Sequence, residues 1–167
     1  TVTASATYGV AIAESPFGMG NSTWVYLGYG HGTEVGAIVT LGGYYEEYNG
    51  LTEINVYNYT TADPAAYFDV VGTCTEMPPP IYITAADIMA APEHYESCIV
   101  WLTDGFVVDA LLSYGEWTAQ SHEDGTSIHF DDYWFDETTL SVGNCANWAI
   151  GMWTYNYGAF KLEAFVD

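Results

Sequence analysis

The sequence predicts an all-β protein built as two small Greek-key barrels in tandem, with one short helix linking them. Two observations carry this expectation. Short runs of β-forming residues alternate polar and apolar side chains, and glycine and proline separate them at close intervals, a pattern that fits no helical or doubly wound class. A long hairpin also recurs: the stretch Val35–Ile54 (VGAIVTLGGYYEEYNGLTEI) returns in degraded form at Val142–Leu162 (VGNCANWAIGMWTYNYGAFKL). Gly36 matches Gly143 at an offset of about 107, whereas Gly43 and Gly50 match Gly151 and Gly158 at about 108. The extra residue between them is what a β-bulge supplies.

Taken in order, Thr1–Ala13 alternates small polar and apolar residues and reads as one strand at a free end. Ser15–Gly20 is turn chemistry, Thr23–Leu27 a short strand, and Gly28–Thr33 a glycine loop holding His31. Glu34–Tyr48 is a long strand bent at Gly42-Gly43, turned by Asn49-Gly50 into a return strand, Leu51–Tyr59. Tyr67–Thr75 is a further strand. Pro78-Pro79-Pro80 is a stiff connector, and Thr84–Asp87 is a capping box opening a short helix that Pro92 ends. Ser97–Asp109 is a long strand bent at Gly105; Gly115–Ser121 and Ser127–Phe130 flank a turn at Glu123–Gly125; Asn144–Tyr155 and Ala159–Val166 form the closing hairpin. The expected units are residues 1–76, a connector 77–94, and residues 95–167.

Charge discriminates between partners. The chain of 167 residues carries 22 acids against a single Lys161 and no Arg, a formal net charge of −21. Nucleic-acid affinity and adhesion to anionic membranes both depend on clustered Lys and Arg, so neither partner is expected. No run of about 18 apolar residues predicts a spanning helix. The partners that remain are neutral ones (glycans, or other copies of the chain), cationic proteins and metal ions. The chain begins at Thr1 without a basic and then apolar leader, and reads as processed or cut from a longer protein. Sequons at Asn21-Ser22-Thr23 and Asn58-Tyr59-Thr60 fit an exported, extracellular chain. Cys74, Cys98 and Cys145 form no C-x-x-C, which removes zinc-ribbon and thioredoxin readings; one disulfide among them, or three separate thiols, both fit.

No catalytic motif emerges, and no enzyme activity is expected. His122, Glu123, Asp124, His129, Asp131 and Asp132 are the densest set of metal-ligand types, though a solvated acidic turn explains them as well. Ca²⁺ is the one cofactor considered, with Asp131, Asp132 and Asp136 as its ligands. Glu46-Glu47 would point to opposite faces of a strand and so could not share one acid–base site. The 15 Tyr, 7 Phe and 6 Trp are too many for a small barrel to bury, so some must face outwards, as at protein interfaces and sugar platforms.

At Tyr44–Ile54 (YYEEYNGLTEI), Tyr95–Val100 (YESCIV), Gly115-Glu116-Trp117, Phe130-Asp131-Asp132 and Tyr157–Leu162 (YGAFKL), the chain resembles the tandem OB-fold-like β-barrel domains of secreted bacterial surface and nuclease-associated proteins. The resemblance implies a barrel. It does not bring nucleic-acid binding with it, because the aromatics are present and the basic groove is absent. The reading that results is an extracellular structural subunit that self-assembles, as a filament or surface layer, through strand edges and aromatic faces, with the N-terminal strand adding to a neighbour's sheet. The alternative is a glycan- or calcium-binding accessory module of a larger secreted protein.

Overall fold

The computed structural model describes residues 1–57, 66–132 and 140–165. The protein is all-β: among the described residues 51% lie in strands and 9% are helical. In the first half, β1 (Val2–Ala6), β2 (Gly9–Ala13) and β3 (Ser22–Tyr26) are followed by β4 (Ala37–Gly42), β5 (Tyr44–Tyr48), β6 (Leu51–Asn55) and β7 (Tyr67–Thr73). The second half runs β8 (Ile81–Ile83), α1 (Ala85–Ala90), β9 (Ile99–Leu102), β10 (Phe106–Leu111), β11 (Trp117–Ser121), β12 (Ser127–Asp131), β13 (Cys145–Ala146), β14 (Ala149–Asn156) and β15 (Ala159–Ala164).

The two halves share one strand order. The first pairs β1-β2-β3-β6-β5, with β3 and β6 parallel; the second contains β10-β11-β12-β15-β14, with β12 and β15 parallel. Backbone devices repeat as well. A register shift lies between Val2 and Ala4 in β1 and between Val108 and Ala110 in β10. Gly36 (φ 90) donates to Val2 O at 2.9 Å, and Gly143 (φ 91) donates to Val108 O at 2.8 Å. Both turns need the left-handed region, which glycine enters without strain. Asn49 (φ 52) and Tyr157 (φ 48) open the two hairpin turns. In the second half β9 continues into β10 through a bend at Thr103–Gly105, yet β9 pairs with β14 and β10 with β11. The sheet therefore curls round on itself.

One sequence expectation is corrected. Thr1–Ala13 is a hairpin, β1–β2, rather than one strand. Its Thr7-Tyr8 turn uses no positive φ, so it required no Gly or Asn there to betray it. Val2, Ala4, Val10 and Ala11 are buried, and the Thr1 amine donates to Ala13 O at 2.9 Å. This segment is a core element of the first half, with β1 at the end of its sheet. The 77–94 stretch packs into the second half. β8 lies parallel to β9, and Ile83, Ala85 and Ile88 join the second core. The expected capping box is present: Asp87 N–H donates to Thr84 Oγ1 at 3.1 Å.

The halves meet face to face. Ala4, Ala11 and Trp24 of the first pack with Met152 of the second, flanked by Ile99 and Phe165. Thr52 N–H donates to Glu96 Oε2 at 3.1 Å, and Gly20 N–H to His94 O at 3.0 Å.

Candidate functional site

The halves differ at one strand edge. β14 has β15 on one side and β9 on the other, whereas β5 ends its sheet and β4 pairs with β7 alone among the described residues. Alternation in antiparallel pairing fixes which edge is open. Tyr48 and Leu51 close the two-residue turn, so Tyr48, Glu46 and Tyr44 direct their backbone groups to β6. Gly36 donates to Val2 O and accepts from Cys74 N–H, which puts β7 across β4 from β1, on the edge that β6 also uses. The opposite edge, along Val39, Leu41, Gly43 and Tyr45, is where β9 would lie.

Burial follows. In the second half Trp153 donates to Cys98 O and accepts from Ser97 N–H, and is 0% exposed. Its counterpart Tyr45 is 72% exposed. Gly151 and Met152, which pair with β9, are buried, while Gly43 and Tyr44 are exposed. Val100 and Leu102 of β9 fill the second core; in the first, Val39, Leu41 and Phe68 stay half-buried around Val2, Val10, Ile12 and Val25.

A second feature is a buried charge cluster. Lys161, the only basic side chain other than the histidines, is 1% exposed on β15. Its Nζ lies 2.5 Å from Glu116 Oε1 and 3.3 Å from Asp131 Oδ2, and His129 Nε2 is 2.7 Å from Glu116 Oε2. Burial pushes the Glu116 carboxyl up, but Lys161 and His129 outweigh it and hold it below its ordinary range. Glu163, two residues on, is pushed up to about 8 by burial and by Asp131, with partial relief from Lys161. Glu53 and Glu96 are each pushed up to about 7, chiefly by burial; Glu46 adds to the first, and the Thr52 hydrogen bond opposes the second.

This arrangement redirects the calcium candidates. Asp131 is buried against Lys161, which already supplies its cation. Asp132 packs against Gly115, and Asp136 lies outside the described residues. His122–Asp124 sit at the β11–β12 turn and His129–Asp132 at the other end of that hairpin, so the sequence cluster divides in two. Among the described residues no three His, Cys, Asp or Glu side chains gather as a metal site. Glu46 and Glu47 do diverge: Glu46 accepts from Asn55 Nδ2 at 2.6 Å, Glu47 from Tyr45 and Thr52 hydroxyls at 2.8 Å. The carboxyl pair that sequence reading missed is Glu46 with Glu53, directly opposite across the hairpin. The turn at Asn49-Gly50 already implied that register.

The outward aromatics include a ladder across the second half. Tyr82, Trp101 and Trp148 follow one another with ring centroids 5.5 and 4.8 Å apart, and Tyr82 and Trp148 are exposed. Asn21 is exposed, its amide donating to Pro16 O at 2.7 Å; Asn58 lies outside the described residues. The three cysteines are separate thiols: Cys98 buried, its thiol pushed up by burial, Cys74 half-buried and Cys145 exposed. Comparison with protein-family models, with curated proteins and with solved structures gives no match.

Proposed function

We propose that this chain is an extracellular structural subunit that self-assembles, as a filament or surface layer, through strand edges and aromatic faces. The observation that carries the reading is the open β4–β5 edge. Unpaired strand edges recruit other strands unless charge, proline or a covering segment blocks them. Tyr44, Tyr45 and Tyr48 stand exposed along this one, giving apolar area to a contact that a chain of net charge −21 cannot make through opposite charges on a second copy. The parallel pairing of β3 with β6 and of β12 with β15 supports the finer reading of two OB-like barrels in tandem. Nucleic acid has no place in the proposal, since the one lysine is buried in an ion pair.

Negative-stain electron microscopy of the purified chain at micromolar concentration, with and without calcium, tests it. Regular filaments or sheets are expected. Monodisperse particles under every condition would overturn the reading.

The Tyr82–Trp101–Trp148 ladder favours a second reading, a glycan-binding accessory module. It predicts a monomer that binds neutral oligosaccharides and loses them on Trp148→Ala.

A further inference from the structure

The tip of the β5–β6 hairpin touches the second half, and one buried carboxyl closes that contact. Gly50 lies so close against the Tyr155 ring that a Cβ there would collide with it. Leu51, next along, packs on the cluster of Ala4, Ala11, Trp24 and Met152. Thr52 N–H donates to Glu96 Oε2 at 3.1 Å. Glu96 belongs to the second half and follows the 3₁₀ turn Pro92–Tyr95. It is 8% exposed, and its other oxygen, Oε1, has no hydrogen-bond partner among the described residues. A buried carboxyl with one oxygen unsatisfied is tolerated as the acid and costly as the anion. The surroundings add to that cost. The charges acting on Glu96 are the carboxyls of Glu93, from the 3₁₀ turn, and of Glu47, from β5. Glu47 is itself tied to the hairpin, accepting from the Tyr45 and Thr52 hydroxyls at 2.8 Å. Tyr45 and Tyr155 bring phenols to the same tip, His94 of the 3₁₀ turn is exposed, and Lys161 is held by Glu116 and Asp131.

We propose that Glu96 is a pH-sensitive latch: as the acid it holds the tip of the β5–β6 hairpin to the second half, and as the carboxylate it lets that tip go. Burial, opposed by the Thr52 hydrogen bond and helped by Glu93 and Glu47, lifts its carboxyl from 4.5 to about 7. The closed tip therefore keeps a proton that an opened tip releases. What Glu96 contributes to closure is whole below about pH 4.5 and is lost as pH rises through about 7. The opening is local. Ala4, Ala11, Trp24 and Met152 carry no charge and keep the halves in contact while the tip moves. Glu53, next to Thr52 on β6, faces Glu46 across the hairpin, so its ionisation acts within the hairpin rather than on the contact with the second half. The latch is a property of the single chain and holds whichever reading of its function stands.

Amide hydrogen exchange on the dispersed full chain, read as protection relative to the intrinsic rate at each pH, tests it. Thr52 should lose on the order of tenfold in protection between about pH 5 and about pH 8.5. Leu27 and Thr103, whose amides donate to Tyr8 O and Ile83 O, should keep theirs. Glu96→Gln retains an oxygen for Thr52 N–H and cannot ionise, so its Thr52 protection should be the same at both pH values. Glu93→Gln, at an exposed position, should keep the fold and move the fall to lower pH. Thr52 protection that does not change with pH in the wild type would overturn the inference. So would a fall that Glu96→Gln leaves in place, or one that Leu27 and Thr103 share, which would make it global unfolding. Should Glu96→Gln fail to fold, a Glu93→Gln profile that superposes on the wild type would overturn it instead.

Discussion

Glu163→Gln should stabilise the protein at alkaline pH and leave it almost unchanged at acidic pH. The side chain is 3% exposed and one of its oxygens, Oε2, has no hydrogen-bond partner. Burial and Asp131 raise its carboxyl from an ordinary 4.5 to about 8. Between those values the folded chain holds a proton that the unfolded chain has released, so unfolding becomes easier as pH rises through the window. Below about pH 4.5 both states are protonated and nothing is lost. Each tenfold change in proton affinity corresponds to about 1.4 kcal/mol, which sets a ceiling of about 5 kcal/mol by pH 8. Relaxation around the buried charge should reduce the realised value to about 2 kcal/mol. Glutamine keeps the shape and removes the ionisation. Urea unfolding of dispersed wild type and variant near pH 5 and near pH 8.5 measures the difference. A gap between the two proteins that stays constant with pH would refute the reasoning. Glu53 and Glu96 act in the same direction, while Glu116, held low, contributes stability that is lost as pH falls.

Two further outcomes follow from the same packing. Lys161→Met strands Glu116 and Asp131 beside each other without a cation and should cost about 3–5 kcal/mol in urea unfolding; adding Asp131→Asn should restore part of it, and no recovery would mean that the loss was one of packing. Gly151→Ala would force a methyl group into the Glu163 carbonyl and should cost about 2–3 kcal/mol; a neutral effect would show that the two strands separate freely there.

Much of the strand inventory was legible because its signals are local. Asn49-Gly50, the Gly43 bend, the Gly105 bend and the Thr84 cap each act within a few residues, and all stand where the sequence placed them. The β1–β2 turn was not legible, since Thr7-Tyr8 turns without positive φ and its flanks are small residues buried throughout β2. The buried charges were hidden for another reason. Nothing in the alternation around Lys161 says that the face opposite Leu162 is also covered, because that cover comes from β11, β12 and the meeting of the two halves. The open edge is the least legible feature of all. Glu34–Tyr48 alternates as a paired strand does, and the sequence of a strand does not record whether both of its edges are occupied.

The duplication then explains which features persisted and which diverged. Positions that the backbone constrains are shared: the left-handed glycines, the bulge in the first strand, the glycine under the bend and the two-residue turn. Positions that answer to neighbours differ. Lys161 stands where the first half has Glu53, and Trp153 where it has Tyr45. Each difference tracks what lies alongside. Lys161 meets Asp131 and Glu116, whereas Glu53 meets Glu46 and holds its proton to about pH 7. Trp153 pairs with Ser97 and Cys98 and donates its indole N–H to Pro92 O at 3.1 Å, whereas Tyr45 is exposed. Two halves with the same backbone logic should bury the same positions. Where they do not, the strands and turns alongside them differ.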